Sequence, residues 1–358
     1  MKGKLTILVW VVVFLLGHAH AKEINMLFMG NSFTFRHDLP ELVKQVFEEG
    51  QPNLTVNVER IVYGGQDLFR HHDLYFSETF VRLHSITVSE AEEKIIAIQS
   101  LLAAGESPIF YRAYWEKTSL KPPDWSTIEK NLQSAQKRQQ QLIERIKAGD
   151  RIKWDYLVLQ SWRDVVENVN AGYAEYAQKW AKMAQEEGIK VILYITAPHA
   201  QNAEPVTEPV GLEQTEMEME TIHKLVDRIH PFAVVPVALG LKRIQRNGTD
   251  LTFRYVNDMH PNQYAAFLTS NMFYAAFFKE TTEGLHYNSV TETNPKGQGP
   301  GKDPDGGNAT VTFDATSKIL LQRAAYDAAM EFYAEKSIET VKAVSFATTS
   351  CFTMKNAL

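Results

Sequence analysis

The stretch that decides the fold is Ile24–Ser32, with the sequence INMLFMGNS. A short apolar run that ends in a glycine turn is typical of a buried β-strand. A helical pattern begins by Leu39. Pro40 suits a first helical turn, and apolar residues recur at helical spacing after it. This beginning predicts a strand followed by a helix, the repeating unit of an α/β protein.

The same alternation continues along the chain. Further strands are predicted at 56–62, 156–159, 191–196 and 233–237, and helices at 90–102, 127–148, 173–187, 213–229, 265–278 and 316–336. Short strands alternating with helices predict a mainly parallel sheet covered on both faces, which binds ligands at the carboxyl ends of its strands. We predict one α/β domain spanning 22–336, with a helical insertion at about 70–150, a Gly/Pro-rich loop at 294–308 and a C-terminal tail at 337–358.

The N-terminus has the features of a secretory signal peptide. Lys2 and Lys4 precede an apolar run at 5–16, and Ala19-His20-Ala21 supplies a small-residue cleavage pattern. The apolar run is too short to cross a bilayer, which needs roughly 20 residues. We therefore predict cleavage near Ala21 and a secreted or periplasmic protein without a stable membrane anchor.

Composition excludes several other classes of protein. The 358 residues are 44% hydrophobic and 22% charged, with a formal net charge of -6, so neither disorder nor nucleic-acid binding is indicated. Cys351 is the only cysteine, which rules out an intrachain disulfide and a zinc site of the Cys/His type. His71 and His72 are adjacent and point to different sides of a regular element, so we predict no metal and no cofactor.

Residues able to carry chemistry follow successive predicted strands. Ser32 comes directly after the first strand, Gly65 lies in a glycine pair after the second, and Gln160 follows the third. His260 stands beside Asp258 just before an apolar helix, and a histidine near a carboxylate is the general base that a serine nucleophile needs. Taken singly, Ser32 would be interpreted as a helix-capping serine, Gly65 as part of a turn and His260 as a loop histidine. Their order along the sheet edge favours a shared site.

In these residues the sequence resembles the SGNH (GDSL-type) hydrolase superfamily, in an exported bacterial branch. Its first block is similar to Gly30–Thr34 (GNSFT), its second-block glycine to Gly65, and its last block to Asp258–Asn262 (DMHPN). The resemblance implies a flavodoxin-like three-layer α/β/α sandwich that hydrolyses esters. It also implies that Ser32 is the nucleophile and His260 the general base, with Ser32, Gly65 and a third-block side chain holding the oxyanion.

Two positions depart from the family pattern. The third block normally carries an asparagine, and Gln160 is assigned to that role here because its amide offers the same donor from a longer arm. The last block normally has Asp three residues before His, where this chain has Asn257. Either Asp258 orients His260 through altered geometry, or Asn257 does so as a neutral partner, or the site works as a Ser–His dyad.

The leading hypothesis is an exported serine esterase acting on acyl groups, with acetyl favoured, attached to a small molecule or a carbohydrate. His199 and Trp162 are predicted to contact the substrate. The alternative is a catalytically weak or inactive glycan-binding protein on the same fold, whose aromatic platform would draw on Tyr111, Tyr114, Trp115, Trp125 and Trp162. The oligomeric state is left open.

Overall fold

A computed structural model describes residues 22–106, 124–162, 165, 172–208 and 213–353. The predicted signal peptide lies outside the described residues, and so do Tyr111, Tyr114 and Trp115 of the predicted aromatic platform. No helix in the described part of the chain combines the length and the apolar character needed to span a bilayer.

The core is a five-stranded sheet. Its strands are β1 (Lys22–Gly30), β2 (Leu54–Val62), β3 (Tyr156–Gln160), β4 (Lys190–Ile195) and β5 (Ala233–Pro236). All neighbouring pairs are parallel, in the order β2-β1-β3-β4-β5. This is the flavodoxin-like order, in which the chain moves to opposite sides of β1 and leaves a crevice where β1 and β3 end. The predicted fold class is confirmed.

Helices cover both faces of the sheet. They are α1 (Ser32–Phe35), α2 (Leu39–Gly50), α3 (Leu68–Asp73), α4 (Glu78–Val81), α5 (Val88–Ala104), α6 (Trp125–Lys147), α7 (Tyr173–Glu186), α8 (Glu213–Ile229), α9 (Val237–Gln245), α10 (Gln263–Phe278) and α11 (Ala315–Thr353). Because β1 and β3 are covered on both sides, most of their residues are buried, which explains their apolar runs in the sequence.

Several elements differ from the sequence prediction. The short helices α1, α3, α4 and α9 were not predicted, and α11 continues to Thr353 through the segment expected to be a tail. A two-stranded antiparallel hairpin, β6 (Ser289–Thr291) and β7 (Thr310–Thr312), flanks the predicted Gly/Pro-rich loop. Its strands have only three residues each, below the length at which alternating polarity becomes visible.

Candidate active site

The loop after β1 places Ser32 at the carboxyl edge of the sheet. Ser32 is half-buried and is the first residue of α1, with Asn31 as the N-cap. The Asn31 side-chain oxygen accepts a hydrogen bond from the Phe33 N–H at 3.0 Å, which satisfies one donor of the helix start. A serine in this position sits at the positive end of the short helix, which favours negative charge developing beside it.

Asn31 and Gln160 join the ends of β1 and β3 by a reciprocal pair of hydrogen bonds. The Asn31 N–H donates to Gln160 Oε1 at 2.9 Å, and Gln160 Nε2 donates back to Asn31 Oδ1 at 2.8 Å. Gln160 Nε2 also donates to the Ser161 carbonyl at 3.0 Å. Both amide hydrogens of Gln160 are therefore used within the protein. Gln160 therefore holds the loop of Ser32 in place, and its amide has no free N–H to donate to an oxyanion.

Gly30 is required by this close approach of β1 and β3. A Cβ at Gly30 would lie 2.2 Å from Gln160 Oε1 and 2.7 Å from Thr34 Oγ1. The Gly30 carbonyl accepts a hydrogen bond from Nε2 of His71 at 2.8 Å, while His71 Nδ1 lies 3.1 Å from Ser77 Oγ. Burial lowers the pKa of His71 to about 4, so this histidine is a neutral structural support for the loop.

Gly65 lies beside the same loop. The Gln66 N–H donates to the Tyr63 carbonyl across the Gly64–Gly65 pair, and Gly65 has a φ of +66°, a turn conformation that favours glycine. Asn31 Nδ2 donates to the Gln66 carbonyl at 2.9 Å, which ties this turn to the Ser32 loop. The structure thus brings together the loops that carry the two predicted backbone donors, Ser32 and Gly65.

Asp258 and His260 form a hydrogen-bonded pair. Asp258 Oδ1 is hydrogen-bonded to His260 Nδ1 and also accepts the His260 N–H at 3.3 Å. Asn257 is exposed, and its backbone N–H donates to Asp305 at 2.8 Å. Of the two candidate partners, Asp258 is the one hydrogen-bonded to the His260 ring, and its role in orienting the imidazole for catalysis stays a prediction. The His260 ring packs against Phe33, the neighbour of Ser32, with 5.7 Å between ring centroids.

The charge states of the pair suit general base catalysis. Burial would raise the pKa of Asp258, but hydrogen bonds from Arg36 and His260 outweigh it and hold that pKa below its ordinary value. Burial and the charges of Arg36 and Lys296 lower the pKa of His260 despite the opposing effect of Asp258. At neutral pH Asp258 is therefore ionised and His260 is neutral, and only neutral imidazole accepts a proton.

A buried group of polar residues backs Asp258. Arg36 Nη1 binds Asp258 Oδ2 at 2.8 Å, while Arg36 Nε contacts both oxygens of Glu292 at 2.9 and 3.0 Å. Tyr255 donates its hydroxyl to Glu292 at 3.0 Å, and His37 Nε2 lies 3.1 Å from the Tyr255 hydroxyl oxygen. Burial lowers the pKa of His37 to about 4, so His37 is neutral at pH 7. Because the Tyr255 hydroxyl donates to Glu292, a hydrogen bond between Tyr255 and His37 requires the proton on His37 Nε2.

The sequence did not point to Arg36, His37, Tyr255 or Glu292 as site residues. Arg36 and Glu292 are 256 positions apart, and nothing in their local sequence marks them as partners. Their local sequence gave no signal beyond the nearness of Arg36 and His37 to Ser32 along the chain.

The two predicted substrate-contacting residues lie at the same edge of the sheet. Trp162 follows β3 and is half-buried, and His199 lies in a short 3₁₀ helix, Pro198–Ala200, after β4. His199 Nε2 is 3.4 Å from Thr215 Oγ1, and burial lowers the pKa of His199. Their roles in substrate binding stay predictions. Within the described residues, no group of three or more His, Cys, Asp or Glu is placed to hold a metal.

The described residues form an α/β protein in which a hydrogen-bonded Asp258–His260 pair lies beside the loop of Ser32, at the carboxyl edge of a flavodoxin-like sheet. No family model matches the chain, and no curated protein matches it either. It is similar in structure to a DUF4886 family protein from Bacteroides uniformis, with 12% identity and a TM-score of 0.43, over 86% of this chain and 95% of that one. It is also similar to a "putative SGNH hydrolase" from Slackia heliotrinireducens, with 13% identity and a TM-score of 0.38, over 72% of this chain and 100% of the other.

Proposed function

We propose that this protein is an exported serine esterase that removes acyl groups, with acetyl favoured, from a small molecule or a carbohydrate. The observation that carries the proposal is the Asp258–His260 hydrogen bond beside the loop of Ser32, in the crevice where flavodoxin-like sheets bind ligands. A serine after β1 and a neutral, carboxylate-oriented histidine are the parts that acyl transfer by a serine needs.

The reaction proceeds in two halves. Ser32 Oγ attacks the ester carbonyl carbon while His260 Nε2 takes its proton, and the backbone N–H groups of Ser32 and Gly65 hold the resulting oxyanion. Collapse breaks the bond to the alcohol, which leaves with the proton from His260, and an acyl-enzyme remains. Water then attacks the acyl group, His260 again takes and returns the proton, and the acid and free Ser32 are released. Gln160 contributes by fixing the loop of Ser32.

The test is hydrolysis of p-nitrophenyl acetate and p-nitrophenyl butyrate by the purified chain beginning at Lys22. Ser32→Ala is the test variant. Ser161→Ala is the matched control, because Ser161 directly follows β3 at the same edge but its hydroxyl accepts the Thr196 N–H at 2.9 Å. We expect Ser32→Ala to abolish turnover, Ser161→Ala to retain it, and acetate to be preferred over butyrate.

Absence of Ser32-dependent turnover from folded protein, with these substrates and with acetylated oligosaccharides, would contradict the esterase proposal. That result would favour the alternative of a glycan-binding protein, which direct binding of oligosaccharides to the Ser32→Ala chain would then establish. Turnover that Ser32→Ala does not diminish would place the nucleophile elsewhere.

A further inference from the structure

The β6–β7 hairpin contacts the candidate active site at two points. Glu292 follows β6, and its backbone N–H donates to the Ala309 carbonyl, so it is anchored in the hairpin ladder. Its carboxylate holds Arg36, which in turn holds Asp258. Asp305, in the loop between the two strands, accepts the backbone N–H groups of Val256 and Asn257 at 2.9 and 2.8 Å.

We propose that the hairpin is a positioning device for the Asp258–His260 pair, with Glu292 acting through Arg36 and Asp305 acting through the backbone just before Asp258. The proposal rests on the proposed function, because it assigns these residues to the same reaction. None of them touches the reacting atoms, so Arg36, Glu292 and Asp305 are positioning residues and not catalytic ones.

The need for such a device follows from the short spacing between Asp258 and His260. Two residues of separation let one carboxylate oxygen, Oδ1, serve both the ring nitrogen and the backbone N–H of His260. The other oxygen, Oδ2, points to the guanidinium of Arg36. Without a partner on Oδ2, the carboxylate could rotate about its side-chain bonds and leave the imidazole. Arg36 removes that freedom because its planar fork is itself fixed by Glu292.

Burial makes this linkage rigid. The side chains of Arg36 and Glu292 are 1% and 0% exposed, so no water competes with their ion pair. The backbone also bends to allow it, since His37 and Asp38 both have positive φ values, 57° and 51°. Two consecutive non-glycine residues in the left-handed region are costly, and such strain persists only where surrounding contacts enforce it. Arg36 and His37, which both contact Glu292, lie at the start of this strained turn.

The test combines kinetics with a direct readout of the Asp258–His260 hydrogen bond. The variants are Glu292→Gln, which removes the charge at constant shape, Glu292→Asp, which keeps the charge, and Asp305→Ala at an exposed position. Arg145→Gln is the matched control, because Arg145 also bridges two carboxylates, Glu59 and Asp150, but outside the site. Each is measured for kcat, KM and the downfield proton resonance of His260 Nδ1–H, assigned by its loss in Asp258→Asn.

We expect Glu292→Gln to lower kcat about tenfold, with KM within about twofold, as loss of an orienting partner does. The downfield resonance should weaken or disappear, and Glu292→Asp should recover part of both. Asp305→Ala should lower kcat and weaken the resonance in the same sense, while Arg145→Gln should change neither. Folded Glu292→Gln or folded Asp305→Ala with unchanged kcat and an unchanged resonance would overturn the proposal.

The two proposals fail in different ways. If the wild-type chain has no Ser32-dependent turnover, the esterase function fails, and the resonance alone still tests the positioning device. If turnover depends on Ser32 but the hairpin variants retain both kcat and the resonance, the esterase function stands and the positioning device is wrong.

Discussion

Replacing Asp258 by asparagine removes one charge from the site and keeps the shape of the side chain. Asp258 accepts from His260 Nδ1 and from Arg36 Nη1. An asparagine that keeps its oxygen towards Arg36 turns its amide nitrogen, a donor, towards His260. His260 Nδ1 then has to accept, which moves the ring proton to Nε2, the nitrogen that must take the proton of Ser32.

We expect Asp258→Asn to cause a large loss of kcat and a modest loss of folding stability. The wrong tautomer, together with loss of the anion that stabilises imidazolium, lowers kcat by about 10³–10⁴. That equals about 4–5 kcal/mol of transition-state stabilisation. Arg36 loses one charge-assisted hydrogen bond but keeps Glu292, so the free energy of unfolding should fall by only about 1.5–3 kcal/mol.

The assay is single-turnover hydrolysis of p-nitrophenyl acetate, alongside thermal unfolding to show that the variant is folded. Asn257→Ala is the control, since its side chain is exposed and the site uses only its backbone N–H. It should stay within about twofold of wild type, because surface changes away from buried contacts have small effects. A folded Asp258→Asn enzyme that retains a tenth or more of the activity would refute the reasoning and point to a Ser–His dyad.

Three further predictions follow from the same contacts. Gly30→Ala should lower the free energy of unfolding by about 1–3 kcal/mol and abolish turnover, because the new methyl group overlaps Gln160. Chemical denaturation measures this loss, and wild-type stability would contradict the close approach of β1 to Gln160. Gly65→Ala should cost about 1 kcal/mol from its positive φ alone, since no atom lies within 4 Å of the new Cβ, and should lower kcat more than stability. The acid limb of the kcat/KM profile should have a midpoint below 6.5, because the pKa of His260 is lowered and the neutral ring is active; a midpoint above 6.5 would contradict this.

Stability itself should depend on pH through the two fully buried histidines, His37 and His71. Their pKa values are about 4 in the folded chain, against 6.5 when unfolded, so only the unfolded state takes up their protons between these values. The free energy of unfolding should therefore fall as pH drops from 6.5 towards 5, by up to about 1.4 kcal/mol per pH unit for each histidine. Urea unfolding at a series of pH values measures this slope, and a flat profile would contradict it.

Most of the sheet was predictable from the sequence because the strands β1, β3, β4 and β5 are largely buried on both faces, whereas the edge strand β2 is only partly buried. Strands of that kind leave apolar runs, and the run at 24–29 ends at Gly30 in the sequence and in the structure. The position of Ser32 at the carboxyl edge follows from that boundary alone. The hairpin could not be found in the same way, since strands of three residues, one of them largely exposed, leave no periodic signal.

The choice between Asp258 and Asn257 also lay beyond the sequence. Spacing places both near His260, and the outcome depends on a partner from a distant part of the chain, because Arg36 holds Asp258 while Asp305 holds the backbone at Asn257. The oxyanion role predicted for Gln160 also depended on contacts that the sequence does not show. Its residue type offers the donor that an oxyanion hole needs, but its reciprocal pairing with Asn31 depends on how closely the ends of β1 and β3 approach.

The buried charges at the site explain why an arginine and a second carboxylate accompany the Asp–His pair. With His260 neutral, Asp258, Arg36 and Glu292 together carry a net charge of −1, since His37 is also neutral. When His260 takes the proton of Ser32, these three residues and His260 together become electrically neutral. The negative charge of the group opposes the effect of burial, which on balance still lowers the pKa of His260, and it so reduces the cost of forming imidazolium in a buried site. Arg36 with Asp258 alone would already be neutral in the resting state, and protonation of His260 would then leave an uncompensated buried cation. Glu292 supplies a compensating negative charge, so the contribution we propose for it is electrostatic as well as geometric.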